Sequence, residues 1–351
     1  MDVSRIIAFF EESFLKDLLS NEKVTDISYN GQDLYYVHND FGRIKSDITL
    51  DKVAAKDFIR QIANLSEKQF SYSNPKLDVS FGRYRFNALH QSICRKNNEE
   101  AVCFSIRIAS SKLRFKESDS LSEEVKELLQ VLINSNVSIV IGGQTGSGKT
   151  ELQKYLISLM KDYTRTIVID NILDLDQLKL DKDLDLNVWQ VDENRESASI
   201  ENLVRNALRS NPDWLIVAES RGKEMLDVLN SSLTGHPIIT TLHAFDIYSM
   251  PHRMVRMVMM NEQKMAFEDI YTDISYHMRF YIYLKRKYTS NGVVQRYISS
   301  ISYLNDKEME EIYGSDGEHI RYGQLSNAAI KLLDLNQVSS RFITTFLQEV
   351  K

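Results

Sequence analysis

Between Ile139 and Leu156 the chain reads IVIGGQTGSGKTELQKYL. Gly143 to Thr150 fit the pattern G-x-x-x-x-G-K-T, with an apolar run before and helix-forming residues after, the strand, loop and helix context that a phosphate-binding loop requires. Glycines let the backbone wrap so that successive N–H groups point at phosphate oxygens, and the helix that follows adds its positive end. The candidate nucleotide-binding residues are therefore Gly143, Gln144, Thr145, Gly146, Ser147, Gly148, Lys149 and Thr150. Lys149 is suited to reach the β and γ phosphates and the Thr150 hydroxyl to hold Mg²⁺, so ATP and Mg²⁺ are the expected ligands.

Outward from this loop, the apolar runs VSIVIG, RTIVID, WLIVAE and PIITTLH alternate with helical stretches from Lys149, near Ser199–Leu208, over Met225–Leu233 and around Tyr248–Met259. Unbroken apolar strands that alternate with helices imply an α/β fold with a mostly parallel sheet covered on both faces. YHMRFYIYL and VVQRYISSISYL read as a closing antiparallel pair with Asn291-Gly292 near the turn. Ser120 and Glu123 form a capping-box pattern ahead of Val125, Leu128, Leu129 and Leu132 and open this domain. Beyond residue 305 the pattern predicts helix, with Phe342, Ile343, Phe346 and Leu347 as an apolar stripe.

On the N-terminal side, Ile7, Phe10, Phe14 and Leu18 recur at helical spacing over residues 3–19. VTDISYN and LYYVHN read as strands around an Asn30-Gly31 turn, residues 51–65 as a helix, and KLDVSFG, RYRFNAL and AVCFSIRIA as three more strands. The expected organisation is an α+β domain over 1–109, a polar linker over 110–119, an ATPase domain over 120–304 and a helical extension over 305–351. The formal charge of −6, from 43 basic and 49 acidic residues, supplies no global field for nucleic acid. Direct nucleic-acid binding is therefore not expected, although Lys285, Arg286 and Lys287 form a local basic cluster. Two cysteines, Cys94 and Cys103, do not suggest a disulfide framework or a four-thiolate zinc site, and a reducing, intracellular setting is the expectation. The N-terminus lacks the layout of a signal peptide, and no window approaches the length of a membrane span.

In an open parallel sheet, ligands sit outside the carboxyl ends of the strands. RTIVID ends at Asp170, WLIVAE at Glu219 and PIITTLH at His243. A carboxylate there is placed to hold the water shell of the metal or to polarise an attacking water, and a histidine to sense the phosphate. Lys149, Glu219, Asp170 and His243 are the catalytic candidates, with Thr150 and Glu219 toward the metal.

The stretch Leu203 to Ala244, LVRNALRSNPDWLIVAESRGKEMLDVLNSSLTGHPIITTLHA, resembles the secretion ATPases that drive type II and type IV secretion, conjugation and tight-adherence or twitching pili. The resemblance runs from about Val24 to Leu304. It implies that Asp170 and Asp174 of VIDNILDLD occupy an aspartate box, that Glu219 is the Walker B glutamate followed by Arg221 and Glu224, and that Thr234, Gly235 and His236 open a histidine box closed by Leu242 and His243, which adds Asp174 and His236 to the catalytic candidates and Glu151 to the nucleotide-binding ones. It also places Arg85 and Arg107 where family members send arginines toward a neighbouring subunit's nucleotide. The implied fold is a RecA-like P-loop domain preceded by a small PAS-like N-terminal domain.

The implied function is ATP hydrolysis that drives a hexameric ring at the cytoplasmic face of the membrane, bound to membrane-embedded components of a secretion, conjugation or pilus machine, with the linker as hinge. Absence of a tetracysteine insert leans toward the type IV secretion or tight-adherence branch. Three departures point to slower turnover: Asp170 stands where the family has Glu, Ala218 where it has Gly, and Glu151 where it has a second Thr, adding negative charge at the helix start. The alternative function is a nucleotide-gated assembly subunit that binds ATP and barely hydrolyses it.

Overall fold

The computed structural model describes residues 2–110, 112–115, 121–171, 174–176, 178–180, 182–192, 195–262 and 265–347. The chain forms two compact units, one of Met1–Ser111 with Tyr288–Val294 and the other of Lys112–Lys287 with Gln295–Lys351.

In the first unit, α1 (Val3–Glu11) and α2 (Lys16–Ser20) precede β1 (Val24–Tyr29), β2 (Leu34–His38), β3 (Gly42–Lys45), α3 (Lys52–Leu65), β4 (Lys76–Phe81), β5 (Tyr84–Leu89), the small hairpin β6 (Arg95–Lys96) and β7 (Glu99–Glu100), and β8 (Cys103–Ile108). The single N-terminal helix expected over 3–19 is broken: Leu15 N donates to Ser13 Oγ at 3.3 Å, which turns the chain between α1 and α2. Strands run in the order β3-β2-β1-β8-β5-β4. Ile6 and Phe10 of α1 and Phe58, Ile59 and Ile62 of α3 pack with Ile27, Phe86, Phe104 and Ile106 of the sheet. Asp51 caps α3 by accepting from the Val53 and Ala54 amides at 2.8 Å each.

The second unit runs α4 (Glu123–Asn134), β9 (Ile139–Gly143), α5 (Lys149–Ser158), β10 (Arg165–Asp170), β11 (Asp185–Gln190), α6 (Ile200–Ala207), β12 (Trp214–Val217), α7 (Met225–Leu233), β13 (Ile238–Leu242), α8 (Ser249–Val258), α9 (Phe267–His277), β14 (Phe280–Tyr288), β15 (Val294–Asn305), β16 (Glu308–Ser315), β17 (Ile320–Tyr322), α10 (Asn327–Ile330) and α11 (Ser340–Phe346). Its sheet is large and mixed, in the order β11-β10-β12-β13-β9-β14-β15-β16-β17. From β11 to β14 neighbours are parallel, and β15 to β17 are antiparallel. Alternation along each strand divides the core between the two faces. Ile139, Ile141, Val168, Ile216 and Ile239 enter one cluster with α4 and α5, while Val140, Ile167, Ile169, Leu215 and Val217 enter the other with α7, α8 and α9.

Three readings need correction. The cap of α4 is Ser122, whose side chain accepts from Val125 N, and Ser120 lies outside the described residues. Strand β11 was not expected, because DLNVWQ is half-exposed at the edge of the sheet and lacks an unbroken apolar signal. The segment after residue 305 is not helical at first: β16 and β17 extend the sheet, with Ile312 and Tyr313 buried. Helix returns only at α10 and α11, where Phe342 and Phe346 are fully buried. In EMEEIYGS the first four residues are exposed or half-buried and the last four are buried, so the strand shows neither a clean alternation nor a helical period.

Candidate nucleotide site

Parallel pairing puts the carboxyl ends of five strands side by side. Ile169 of β10 lies opposite Val217 of β12, Val217 opposite Thr240 of β13, Leu242 opposite Gly142 of β9, and Gly143 opposite Leu284 of β14. The phosphate loop therefore leaves the sheet between the ends of β13 and β14. Gly143 is required there, since a Cβ at φ +152° would lie 2.7 Å from the Leu284 carbonyl oxygen and 2.5 Å from Ser147 Oγ. The loop closes through Ser147 N, which donates to Gln144 O at 3.2 Å, and α5 begins at once with Lys149.

Lys149 is 9% exposed. Its Nζ donates to the Gly143 and Gln144 carbonyls at 2.9 and 3.1 Å and lies 3.3 Å from His243 Nδ1. On the other side of the ring, His243 Nε2 is 3.1 Å from Glu219 Oε1, and Arg221 Nη2 donates to Glu219 Oε2 at 2.7 Å. Four residues from three strand ends thus form one chain of contacts. The Glu219–His243 contact is an ion-pair distance without an aligned hydrogen bond, because Oε1 is buried and has no hydrogen-bonding partner. A carboxylate oxygen in that condition is an acceptor available to water or to a cation.

The electrostatics follow from this packing. Burial pushes the Glu219 carboxyl up, but the hydrogen bond and charge of Arg221, then His243 and Lys149, bring it below its ordinary value, so it is ionised at neutral pH. Burial first, and Lys149 next, hold the His243 imidazole below its ordinary value despite Glu219, which keeps it neutral.

The other expected residues divide. Asp170 closes β10 on the same edge, buried at 4%, with Oδ2 3.5 Å from Leu175 N, and Asp174 is buried in the loop that follows. Thr150 stands in the first turn of α5. His236 does not join the cluster: it precedes β13, at the amino edge of the sheet, where its Nδ1 lies 3.1 Å from Thr234 Oγ1, and the whole of β13 separates it from His243. Glu224 steadies the turn after Arg221, accepting from the Arg221 amide and, at 2.8 Å, from Gly222 N. Glu151 carries its charge toward Lys154, 3.1 Å away and 1% exposed, so the negative charge foreseen at the helix start is met by a buried ammonium one turn on. Arg85 and Arg107 belong to the first unit, directly opposite one another on β5 and β8, and Arg85 is held by both oxygens of Asp78 at 3.3 and 2.9 Å.

Sequence reasoning missed two features. A cavity of about 670 Å³ opens beside the loop, its lining including Gln144, Thr145, His243, Phe245, Arg253 and Arg256. Two arginines, Arg286 of β14 and Arg296 of β15, also reach the loop: Arg296 Nε donates to Gly146 O at 2.9 Å, and Arg286 Nη1 lies 2.9 Å from where a Cβ on Gly146 would stand. The signal for Arg286 was the basic run that follows YIYL at the end of β14.

A parallel-sheet edge bearing a glycine loop, a buried lysine, an ionised glutamate and a neutral histidine defines a phosphate-loop α/β protein. The profile of the family described as "Type II/IV secretion system protein" matches residues 84–280, and the chain belongs to that family of secretion ATPases. It is 29% identical over 304 residues to an uncharacterized protein of Bacillus anthracis, covering 83% of this chain and 66% of that one. Over 130 residues it is 33% identical to the type IV secretion system protein VirB11 of Brucella suis, covering 36% of each chain. The fold is similar to that of the ATPase DotB of Legionella pneumophila, with a TM-score of 0.60, 21% identity and coverage of 83% of this chain and 80% of that one. The chain spans 66% of the length of the Bacillus anthracis relative and 40% of a Methanocaldococcus jannaschii relative.

Proposed function

We propose that this protein hydrolyses ATP and that its nucleotide-driven domain motion powers a type IV secretion, conjugation or pilus-like machine. The observation that carries the reading is the contact chain Lys149–His243–Glu219–Arg221 at the mouth of the phosphate loop. Lys149 binds the terminal phosphates, and the loop amides from Gln144 to Thr150 cradle them. Mg²⁺ fits the residues present, since the Glu219 Oε1 acceptor is buried and unused and Thr150 is at the helix start. Thr150 and Glu219 would hold it, and when bound it supplies positive charge to the β and γ phosphate oxygens. Glu219, ionised, accepts a hydrogen bond from the attacking water, and neutral His243 orients beside the γ phosphate. Asp170, with Asp174, assists in polarising that water.

The reading extends to a RecA-like second unit, a PAS-like first unit and a hexameric ring in which Arg85 and Arg107 serve a neighbouring subunit. The ring would work at the cytoplasmic face of the membrane through membrane-embedded partners. Among the described residues no helix is long and apolar enough to cross a membrane. Membership in the family and the likeness of part of the chain to VirB11 support the type IV branch. Purified protein with Mg-ATP should release phosphate, and Lys149→Ala should abolish it. Equal turnover in both proteins removes the reading, and tight ATP binding without turnover, even with membranes present, selects a nucleotide-gated assembly subunit instead.

A further inference from the structure

We propose that Arg286 is a phosphate-binding residue of this same site, its guanidinium contacting the triphosphate from the β14 side of the loop; this rests on the ATP reading above. Strand β14 lies parallel to β9 with Leu284 opposite Gly143, so the residues after Leu284 emerge where the loop begins. Side chains two apart share a face, which sends Arg286 to the side of Leu284, while its neighbours alternate away and Lys287 pairs with Glu318 at 2.8 Å. Leu284 itself reaches within 3.9 Å of the Cβ position of Gly148, and Arg286 within 2.9 Å of that of Gly146. The basic run of the sequence is therefore split by the pleat, and one of its three cations lies over the phosphate loop.

Among the described residues no carboxylate lies within ion-pair distance of Arg286, in a chain with more acids than bases. An unneutralised guanidinium over a ring of phosphate-directed amides favours an oxyanion, and the planar fork offers two parallel donors to one phosphate. Arg296, by contrast, is committed to the Gly146 carbonyl and steadies the loop.

Binding of a non-hydrolysable ATP analogue tests this in the wild type, Arg286→Gln, Arg286→Lys and Lys149→Ala, each checked for folding by circular dichroism. Arg286→Gln should raise the Kd by roughly ten- to a hundredfold, the range for a charge-assisted contact. Arg286→Lys, which keeps the charge and loses the fork, should recover part of it. Wild-type affinity in both Arg286 variants, with binding lost in Lys149→Ala, overturns the proposal and leaves the ATP reading standing. Equal binding by wild type and Lys149→Ala removes the ATP reading and this proposal with it.

A separate observation, in the first unit, carries a second inference. Cys94 and Cys103 hold their Sγ atoms 2.9 Å apart, closer than unbonded sulfurs pack, with both residues half-buried. Between them runs the β6–β7 hairpin, turned by Asn97 and Asn98 at φ 51° and 64° and tied at its base by Ala101 N donating to Cys94 O at 3.2 Å. The geometry points to a dithiol that a small-molecule disulfide converts into a Cys94–Cys103 bond, a covalent modification site that staples the hairpin to β8. The Cys94 thiolate attacks the oxidant, whose S–S bond breaks and releases one thiolate. The Cys103 thiolate then attacks Cys94 Sγ and expels the second. The two protein protons pass to the released thiolates, and the oxidant leaves as two thiols. Burial, with Cys94 beside it, pushes the Cys103 thiol up to about 12, which makes it the resolving rather than the entering sulfur.

Titration of the folded protein against oxidised glutathione, read by intact mass and peptide mapping, tests it. The wild type should lose two hydrogens and yield a Cys94–Cys103 linked peptide at a more reducing ratio than the same chain in urea. Cys103→Ser should instead retain a glutathione adduct on Cys94. Stable adducts on the wild type without the linked peptide, or closure no easier than in urea, overturn it.

Discussion

A methyl group on Gly143 tests the close approach on which the phosphate loop is built. In Gly143→Ala the new Cβ would stand 2.7 Å from Leu284 O and 3.3 Å from Ser147 Cβ. The first separation is about 0.6 Å short of an ordinary C···O contact of about 3.3 Å. Leu284 is the ladder partner of Gly143, so its carbonyl cannot retreat without disturbing the β9–β14 pairing, whereas Ser147 Oγ can rotate away. Overpacking of this kind costs about 1–3 kcal/mol, and an alanine held near φ +152° adds roughly 1–3 kcal/mol. At about 2–4 °C per kcal/mol for a unit of this size, the Tm should fall by roughly 5–20 °C. Gly292→Ala is the matched control, because φ is +74° and nothing lies within 4 Å of its Cβ, leaving the conformational cost alone. Differential scanning calorimetry and titration with an ATP analogue measure both consequences. A Gly143→Ala protein that melts no lower than Gly292→Ala and binds the analogue like wild type would refute the packing argument and the loop geometry together.

Glu219→Gln should lower kcat by about a hundred- to ten-thousandfold while ATP analogue binding is retained, since the carboxylate's charge and basicity are lost and the loop is not; single-turnover phosphate release with a parallel binding isotherm separates the two. The folded protein holds His243 below its ordinary value near 6.5, so the unfolded chain binds more protons as the medium acidifies. That contribution to stability is present above about 6.5 and is lost as pH falls through the folded value, and His243→Asn should flatten this part of a stability profile measured by urea melts from pH 8 to pH 5. Phe342→Ala should cost about 3–5 kcal/mol in urea unfolding, because the side chain is fully buried among Leu325, Ala329 and Phe346; a change below about 1 kcal/mol would show that α11 does not belong to the second core.

The parallel part of the sheet was legible because β9, β10, β12 and β13 are buried on both faces and read as unbroken apolar runs. The loop was legible because its glycines and Lys149 follow the G-x-x-x-x-G-K-T spacing between an apolar strand and a helix. Strands β11, β16 and β17 were not, since DLNVWQ, EMEEIYGS and IRY lie at or near the sheet's two ends and are partly or wholly exposed. Edge strands of that kind carry charged residues that protect them from aberrant pairing, and those residues erase the strand signal. Within the site, Glu219 and His243 could be placed because they end apolar runs on a known edge. His236 was drawn in by motif alone, and the direction of β13 puts it at the other end. Arg286 needed the strand order, which periodicity does not supply, because only adjacency of β14 to β9 brings that basic run to the loop. The same holds for Cys94 and Cys103, whose separation in sequence conceals a hairpin that returns one sulfur to the other.

The charge pattern at the strand ends constrains the part Glu219 can play. Burial alone would favour its neutral form, a hydrogen-bond donor and general acid. Arg221 at 2.7 Å, with His243 and Lys149 behind, reverses this and leaves a carboxylate that can only accept. Its free oxygen, Oε1, is the one turned toward His243 and away from Arg221. Arg221 thus orients as well as ionises Glu219, fixing one oxygen so that the other faces the phosphate loop. Arg221→Lys preserves the charge while removing the planar fork, and Arg221→Ala removes both. If orientation matters, Arg221→Lys should lose most of the turnover while the acid limb of the pH–rate profile stays in place, whereas Arg221→Ala should also move that limb to higher pH as burial prevails. A lysine variant with full turnover would leave ionisation as the whole contribution of Arg221.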